Sequence, residues 1–287
     1  MREALQLVAR PDGPILPGRL LLRLARSLIE VLNSADAQQP INIVWEVEQL
    51  FTQIDRASDV ARSDMLLIEW PYLTILAHTG RGPRHLHMAL ATNPSFFAQL
   101  ICLNYKRRDA APDPEYADMP PAVRAARARQ ASELLSSWQS PLPGDSPAGL
   151  DGAVLETWVV EARRLCAECD RGAVGDLAIG GLLARSPSDP HDGAWPHRAV
   201  RHVLESIRAG DLERGFYNGV FNGREATTRG LLDGGILERH EADRFEAWSA
   251  TIRRRFPHAA RLLMQVAAGY MARAVRHDEQ AAKNDLE

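Results

Sequence analysis

The chain has 287 residues, of which 45% are hydrophobic and 25% charged, an ordinary globular composition that argues against disorder. Its 34 basic and 37 acidic residues nearly balance, so there is no overall positive charge of the kind that marks nucleic-acid-binding proteins. Three cysteines are too few, and odd in number, for a disulfide framework, and no apolar run is long enough for a signal peptide or a membrane span, so we expect a cytoplasmic protein.

Apolar residues recur at helical spacing from the first part of the chain onward. The segments PGRLLLRLARSLIEVLNSA and INIVWEVEQLFTQI each place their apolar side chains along one stripe, which predicts two amphipathic helices. Further along, NPSFFAQLICLNYKRR predicts a helix that starts at Asn93 and Pro94. Asparagine can accept hydrogen bonds from the free N–H groups of a first turn, and proline suits the first helical position.

One carboxylate lies within an apolar segment, MLLIEWPYLTIL. Pro71 predicts either a kinked helix or two short helices there. Glu69 shares its helical face with leucines, and a buried carboxylate must be paired, hydrogen-bonded or protonated. We expect an arginine partner for Glu69. The alternative is a binding site that includes Glu69 and the adjacent Trp70.

Basic residues cluster near two predicted helix ends. The favourable interaction of cations with the helix dipole explains both clusters, and contact with phosphate or nucleic acid is the alternative. The clusters are Lys106, Arg107 and Arg108, and Arg253, Arg254 and Arg255.

A stretch rich in proline, glycine and serine at 139–151, QSPLPGDSPAGLD, predicts a linker. It separates a helical part at 1–138 from a second helical part at 152–287, an arrangement that is compatible with packing as one unit. No strand-like alternation over five or more residues occurs, so the predicted class is all-α, with about ten antiparallel helices in a bundle or an irregular solenoid-like stack. The second part contains predicted helices near 152–169, 174–185, 196–209, 212–232, 240–255 and 258–281.

A C-x-x-C motif, formed by Cys166 and Cys169, has no second pair of ligands elsewhere in the chain. Zinc needs about four ligands, and a thioredoxin-like site needs a βαβ context that the sequence lacks. We therefore expect both cysteines to be small core residues and expect no metal or cofactor.

The segment SDPHDGAWPHRAVRHVLE is polar but lacks metal-ligand spacing. His197 and His202 are five residues apart and would diverge on one helix. We expect a polar loop whose Trp195 packs across the start of the next helix. A divalent-cation site formed by Asp189 and Asp192 is the alternative.

Glycines four residues apart mark the segment ERGFYNGVFNGRE. Gly215, Gly219 and Gly223 would share one face of a helix, and they have neither the GxGxxG nor the GxxxxGK[ST] spacing of a phosphate loop. We expect a tight helix crossing along this stripe, and we expect Gly234 and Gly235 to end the helix.

Polar residues lie beside the glycine stripe, where buried amides would need hydrogen-bond partners. Asn218, Asn222 and Glu225 are expected to act as polar clamps at the helix crossing. The functional alternative is that the three side chains form the floor of a polar pocket, next to Arg224.

Four segments together resemble a helical region at the C-terminal ends of large, uncharacterised multidomain bacterial proteins: LIEWPYLTIL, NPSFFAQLICLNYK, AIGGLLARSPSDPHDGAWPHRAVRHVLE and GFYNGVFNGRE. The resemblance covers roughly residues 45–280. It implies an interaction, sensing or scaffolding module within a larger assembly, with a link to phage defence for some of those proteins. It implies no catalytic residue.

The sequence supports three hypotheses of different classes. The leading one is a non-enzymatic module that binds a protein partner, or other domains of a larger assembly, through helix faces, because no complete catalytic set is present. The second is a nucleic-acid-associated module that uses the two arginine-rich clusters. The third is a small-ligand or enzyme pocket formed by Glu69, Trp70, Asn218, Asn222, Arg224 and Glu225.

Overall fold

A computed structural model describes residues 16–32, 43–223 and 234–284. Nearly all regular structure in these ranges is helical, which confirms the all-α prediction. The chain divides into two compact units. The first comprises Met1–Phe96 and Pro112–Pro141, and the second comprises Phe97–Ala111 and Leu142–Glu287.

Helices of 4 to 17 residues build the described part of the first unit. Asn93 caps a helix as expected, because its Oδ1 accepts hydrogen bonds from the backbone N–H groups of Ser95 and Phe96 at 3.0 and 3.2 Å. The helices, in chain order, are α1 (Gly18–Leu32), α2 (Ile43–Arg56), α3 (Arg62–Glu69), a 3₁₀ turn (Trp70–Tyr72), α4 (Leu73–Leu76), α5 (Arg84–Thr92), α6 (Pro94–Asn104, which continues into the second unit), a 3₁₀ turn (Pro114–Tyr116) and α7 (Pro121–Ser137).

The core of the first unit lies among α1, α2 and the short helices around Pro71. The segment MLLIEWPYLTIL forms two short α-helices, α3 and α4, separated by a 3₁₀ turn. The prediction of two short helices, rather than one kinked helix, is therefore confirmed. Tyr72, in that turn, meets the ring of Phe51 edge to face at 5.1 Å and donates its hydroxyl to the carbonyl of Ala25. Burial raises the pKa of the Tyr72 hydroxyl, so it stays a hydrogen-bond donor.

Helices also dominate the second unit, and the longest of them has 28 residues. A pair of two-residue antiparallel strands precedes them, inside the segment predicted as a linker, and is too short to show an alternating pattern. The elements are β1 (Asp145–Ser146), β2 (Gly149–Leu150), α8 (Gly152–Glu168), α9 (Gly172–Leu183), α10 (Arg198–Ile207), α11 (Gly210–Asn222), α12 (Ile236–Ile252) and α13 (Pro257–Asn284).

The predicted tight helix crossing is confirmed between α9 and α11. A Cβ atom added to Gly215 would lie 2.8 Å from the backbone carbon of Leu177, and one added to Gly180 would lie 2.6 Å from the backbone nitrogen of Phe216. Real Cβ atoms do not approach backbone atoms so closely, so the two helices pack at a separation that only glycine permits. Gly219 continues the same contact one turn later.

Helix α11 is shorter than predicted. It ends at Asn222, where Gly223 is the C-cap residue and donates its N–H to the carbonyl of Gly219 at 2.9 Å. The prediction that this helix runs to residue 232 and ends at Gly234 and Gly235 is therefore wrong. Those two glycines precede α12 instead, and Gly235 is its N-cap residue. Glycine has low helix propensity, so Gly223 is already a favourable place to end the helix.

Among the described residues, no single helix is both long and apolar enough to cross a membrane. The consecutive helices α5 and α6 are long and apolar enough only when they are taken together, and the chain bends by 108° between them.

Candidate functional site

Glu69 is completely buried in the first unit and is paired as expected. Its Oε1 forms an ion pair with Nη2 of Arg81, 2.8 Å away, but the two groups are not aligned as a hydrogen bond. Its Oε2 accepts hydrogen bonds of 2.9 Å from the backbone N–H groups of His85 and Leu86, in the first turn of α5. Burial raises the pKa of the Glu69 carboxyl, and Arg81 and the helix amides oppose that effect. Trp70 packs beside it against Phe96.

Arg81 connects Glu69 to a second carboxylate. The guanidinium donates to both oxygens of Asp55, from Nε at 2.8 Å and from Nη2 at 2.7 Å, and its carbon lies 5.1 Å from the centre of the Phe51 ring. Only 6% of the Arg81 side chain is exposed. Burial, the largest influence on Asp55, opposes its ionisation, but hydrogen bonds from His85 and Arg81 outweigh it and hold the Asp55 pKa well below its usual range.

The asparagines beside the glycine stripe do not behave as predicted. Asn218 and Asn222 are both exposed, so they are not buried clamps and do not form a pocket floor. The glycines face α9, and this orientation turns the asparagines toward solvent. The predicted site residues Arg224 and Glu225 lie outside the described residues.

The two arginine-rich clusters both belong to the second unit. Arg107 donates to both oxygens of Asp109, at 2.9 and 2.7 Å, so its charge is already paired. Lys106 and Arg108 are exposed just after α6. The other cluster follows α12, where Arg253, Arg254 and Arg255 are all exposed and have no ion pair within the described ranges.

The polar loop before α10 is held by arginines. Asp189 is fully buried and accepts hydrogen bonds from Nε and Nη2 of Arg198, which is the main cause of its lowered pKa. Asp192 accepts from Nη1 and Nη2 of Arg201, at 2.6 and 2.9 Å. Both carboxylates are therefore neutralised by guanidinium groups, which argues against the cation site that was considered for them.

The C-x-x-C cysteines lie at the end of α8. Cys166 is buried and Cys169 is half-buried, and the thiol of Cys169 donates to the Cys166 carbonyl at 3.3 Å. Burial raises the pKa of Cys166 to about 12, which keeps it a neutral thiol. Within the ranges described above, no group of three histidine, cysteine or acidic residues has metal-binding geometry.

A groove of about 590 Å³ opens on the second unit, and we name it the aromatic groove. It lies where the end of α9 and the loop before α10 meet α11, α12 and α13. Small residues of the glycine stripe form part of its wall. The groove is lined by Ala184, Arg185, Ser186, Trp195, Gly219, Val220, Gly223, Leu237, His240, Glu241, Arg244, Phe245, Trp248 and Tyr270.

Aromatic rings pack together along one side of the aromatic groove. Trp195 stacks on Phe216 at 5.3 Å, meets Phe245 edge to face at 5.6 Å and lies 5.9 Å from Trp248. Phe245 in turn stacks on Tyr270 at 5.6 Å. Trp195 and Trp248 are each half-buried, so part of each indole faces the groove. The aromatic neighbours of Trp195 come from α11 and α12, in addition to the position at the start of α10 that the sequence predicts for it.

Among the described lining residues of the aromatic groove, cations outnumber anions. Arg244 lies over the ring of Trp248 at 4.9 Å and pairs with Glu241 at 2.7 Å. Half-buried Arg185 forms no ion pair or side-chain hydrogen bond with the part of the chain that the structure describes. The exposed His240 also lines the groove. The groove therefore joins an apolar aromatic wall to the guanidinium of Arg185, which has no charged partner among the described residues.

Most of these residues are absent from the sequence-based site. Arg244 and Trp248 are four residues apart on one helix, a spacing that could have indicated the stacked pair. Arg185 and Trp195 lie in a different part of the chain and carry no local signal that links them to α12. Arg81 likewise lies in a turn between glycines, TGRGP, without a mark of its partners.

No protein-family model, no curated protein and no solved structure matches the chain. The resemblance to helical regions of large bacterial proteins therefore stays a prediction.

Proposed function

We propose that this chain is a non-enzymatic interaction module whose second unit binds a segment of a partner protein in the aromatic groove. The observation that carries the proposal is the combination of two half-buried tryptophans, Trp195 and Trp248, with the unpaired charge of Arg185 within the described residues. Tryptophan and arginine are the residue types that dominate binding energy at protein interfaces.

The chemistry of the groove indicates what the partner segment contains. Indole faces favour an apolar or aromatic side chain, and Arg185 favours a carboxylate beside it. Leu237, which is 39% exposed at the edge of the groove, extends the apolar surface. We therefore expect a short segment with an aromatic anchor and a neighbouring aspartate or glutamate.

A peptide-display selection against the intact protein tests this proposal. The expected result is a consensus that pairs an aromatic residue with an acidic residue, and the affinity of a synthetic consensus peptide is then measured by fluorescence polarisation. Trp248→Ala should weaken the peptide about tenfold, the effect of a central interface residue that contributes about 1.4 kcal/mol. Arg185→Glu should remove the preference for acidic residues.

Trp45→Ala is the matched control, because Trp45 is a 51% exposed tryptophan of the first unit. Its peptide affinity should equal that of the wild type. Equal weakening in Trp45→Ala and Trp248→Ala, or a consensus without an acidic residue, would contradict the proposal. Turnover of phosphoester or peptide substrates by the purified protein would contradict a non-enzymatic role.

The resemblance to multidomain bacterial proteins extends this proposal to a scaffold or sensing role in a larger assembly, including one for defence against phage. Co-purification of the tagged chain from a bacterial host, with and without Trp248→Ala, tests the extension. A stable partner should be lost from the variant, and an identical set of partners would contradict it.

As a second candidate we propose contact with nucleic acid through Arg253, Arg254 and Arg255. These three arginines are consecutive in the sequence, and all are exposed at the end of one helix. Such binding should weaken steeply as salt is added, since it depends on phosphate contacts. Gel-shift titration with DNA and RNA at low ionic strength measures it, and the absence of any shift would remove this candidate.

A further inference from the structure

A smaller groove on the first unit, of about 340 Å³, lies against α2, α3 and α5. We name it the arginine groove. Its polar lining consists of Asp55, Arg62, Arg84 and His85, and Met65 and Met88 belong to its apolar wall. The volume lies within the range of small-molecule sites. No residue of this groove belongs to the aromatic groove.

A contact with Asp55 fixes the orientation of the His85 ring. Its Nε2 lies 3.0 Å from Oδ1 of Asp55, and Asp55 is itself held by two hydrogen bonds from the buried Arg81. Because Nε2 faces the Asp55 carboxylate, it carries a proton, and Nδ1 is the nitrogen left for a ligand. Nδ1 accepts a hydrogen bond in the neutral ring and donates one in the imidazolium. Nδ1 has no hydrogen-bond partner within the described residues. About a quarter of the side chain, 26%, is exposed.

Asp55 does not make the groove acidic. Its Oδ1 is shared by Arg81 and His85, and its Oδ2 by Arg81 and Arg84. These partners neutralise the carboxylate. Two of the free N–H groups at the start of α5, those of His85 and Leu86, are also taken up, because Glu69 accepts their hydrogen bonds. The ligand-binding capacity of the groove therefore resides in its side chains and not in the helix end.

Two guanidinium groups remain available at the groove. The Arg84 side chain is 62% exposed and keeps one contact, at 3.3 Å to Asp55. Arg62 is exposed at the first position of α3 and forms no ion pair with any residue that the structure describes. Each guanidinium carries several donors in a planar fork that matches the oxygens of a phosphate group.

We propose that the arginine groove binds a phosphate monoester, with Arg62, Arg84 and the imidazolium form of His85 donating to the phosphoryl oxygens and with Met65 and Met88 against the organic part. A phosphate monoester dianion brings two negative charges to the two guanidinium groups, whereas a carboxylate brings only one. The methionines favour an apolar or aromatic organic group, since thioether side chains adapt to such surfaces.

Isothermal titration of the full chain with phenyl phosphate, inorganic phosphate and benzoate tests this inference. Phenyl phosphate should bind most tightly, inorganic phosphate more weakly for lack of the apolar contact, and benzoate most weakly because it carries a single negative charge. Binding of inorganic phosphate that equals that of phenyl phosphate would overturn the role of the methionine wall. The absence of heat from every ligand would overturn the site.

Variants assign the binding to named residues. Arg62→Gln and Arg84→Gln should each lower the affinity for phenyl phosphate about tenfold, and His85→Gln should lower it about threefold. Arg127→Gln is the matched control, since Arg127 is an exposed arginine of α7 in the same unit, and it should bind as the wild type does. Equal weakening in the control would show nonspecific attraction and would overturn the proposal. Circular dichroism checks that each variant is folded, and Arg62 and Arg84 are exposed enough for replacement without loss of packing.

Discussion

In the first unit, α2, α3 and the start of α5 meet around the buried guanidinium of Arg81, which pairs with Glu69 and Asp55. In the second unit, α9 and α11 meet backbone to backbone at Gly180 and Gly215, without any charged group between them. The first contact depends on charges that must stay balanced. The second depends on side-chain atoms that must stay absent.

The two contacts should therefore fail under opposite changes. Removal of a side chain from the charged contact leaves carboxylates buried without a partner, and addition of a methyl group to the glycine contact forces two backbones apart. Each kind of change is informative only in its own region.

Replacement of Arg81 by methionine should have the largest effect. Loss of one partner from a buried ion pair costs about 3–5 kcal/mol, because Glu69 then lacks its opposing charge. Urea unfolding at neutral pH measures the change. The double variant Arg81→Met with Glu69→Gln should be less destabilised than Arg81→Met alone. A single variant that unfolds at the wild-type urea concentration would show that the pairing contributes nothing.

Gly215→Ala should come next. The new Cβ would lie 2.8 Å from backbone atoms of Leu177, which cannot rotate away, so we expect a loss of about 3 kcal/mol from overpacking. Gly210→Ala is the matched control on the same helix, because nothing lies within 4 Å of its added Cβ. It should be neutral or should stabilise the protein by up to about 1 kcal/mol, since alanine has the higher helix propensity. Similar losses in both variants would contradict the close crossing.

A pH dependence should distinguish the first unit through His87. This histidine is 7% exposed, with Nε2 3.1 Å from the Ser137 hydroxyl, and burial lowers its pKa to about 4 from 6.5. As pH falls below 6.5, the unfolded chain takes up a proton that the folded chain refuses, so stability falls until the folded pKa is reached.

Between pH 7 and pH 5 this difference amounts to about 2 kcal/mol. His87→Gln removes the titrating group, and urea unfolding at the two pH values compares it with the wild type. The variant should lose less stability on acidification than the wild type does. Parallel losses would show that His87 is protonated with an ordinary pKa in the folded state.

Asn218→Ala should have the smallest effect. The side chain is exposed, and exposed substitutions away from special features usually change stability by less than about 0.5 kcal/mol. Urea unfolding measures it beside Gly215→Ala. A loss of stability of about 1.5 kcal/mol or more, well above that of ordinary surface substitutions, would support the interpretation of Asn218 as a buried clamp.

Local patterns predicted the features that depend on local chemistry. Apolar spacing indicated nearly every helix, and Asn93 and Pro94 marked a helix start. The prediction failed at the end of α11, because the helical pattern continues past Gly223 and a glycine inside such a pattern is often tolerated. It also failed for Asn218, since one glycine stripe can turn its neighbours toward either a partner or solvent.

The candidate sites were harder to predict because they join distant segments. Arg185, Trp195 and Trp248 line one groove but belong to α9's end, a loop and α12. Periodicity describes one element at a time and carries no information about which elements become neighbours. The same holds for His85, whose role depends on an aspartate at the end of α2.

The sequence by itself determined that the chain is helical, that Gly215 and Gly219 face a close neighbour, and that Glu69 needs a partner, because each follows from spacing or from the cost of burying a charge. Only the tertiary structure decided that α9 is the close neighbour and that Arg81 is the partner. It also decided that aromatic and basic side chains from separate elements share a groove. Those outcomes depend on long-range packing, in which many pairings satisfy the same local pattern and the complete set of contacts selects one.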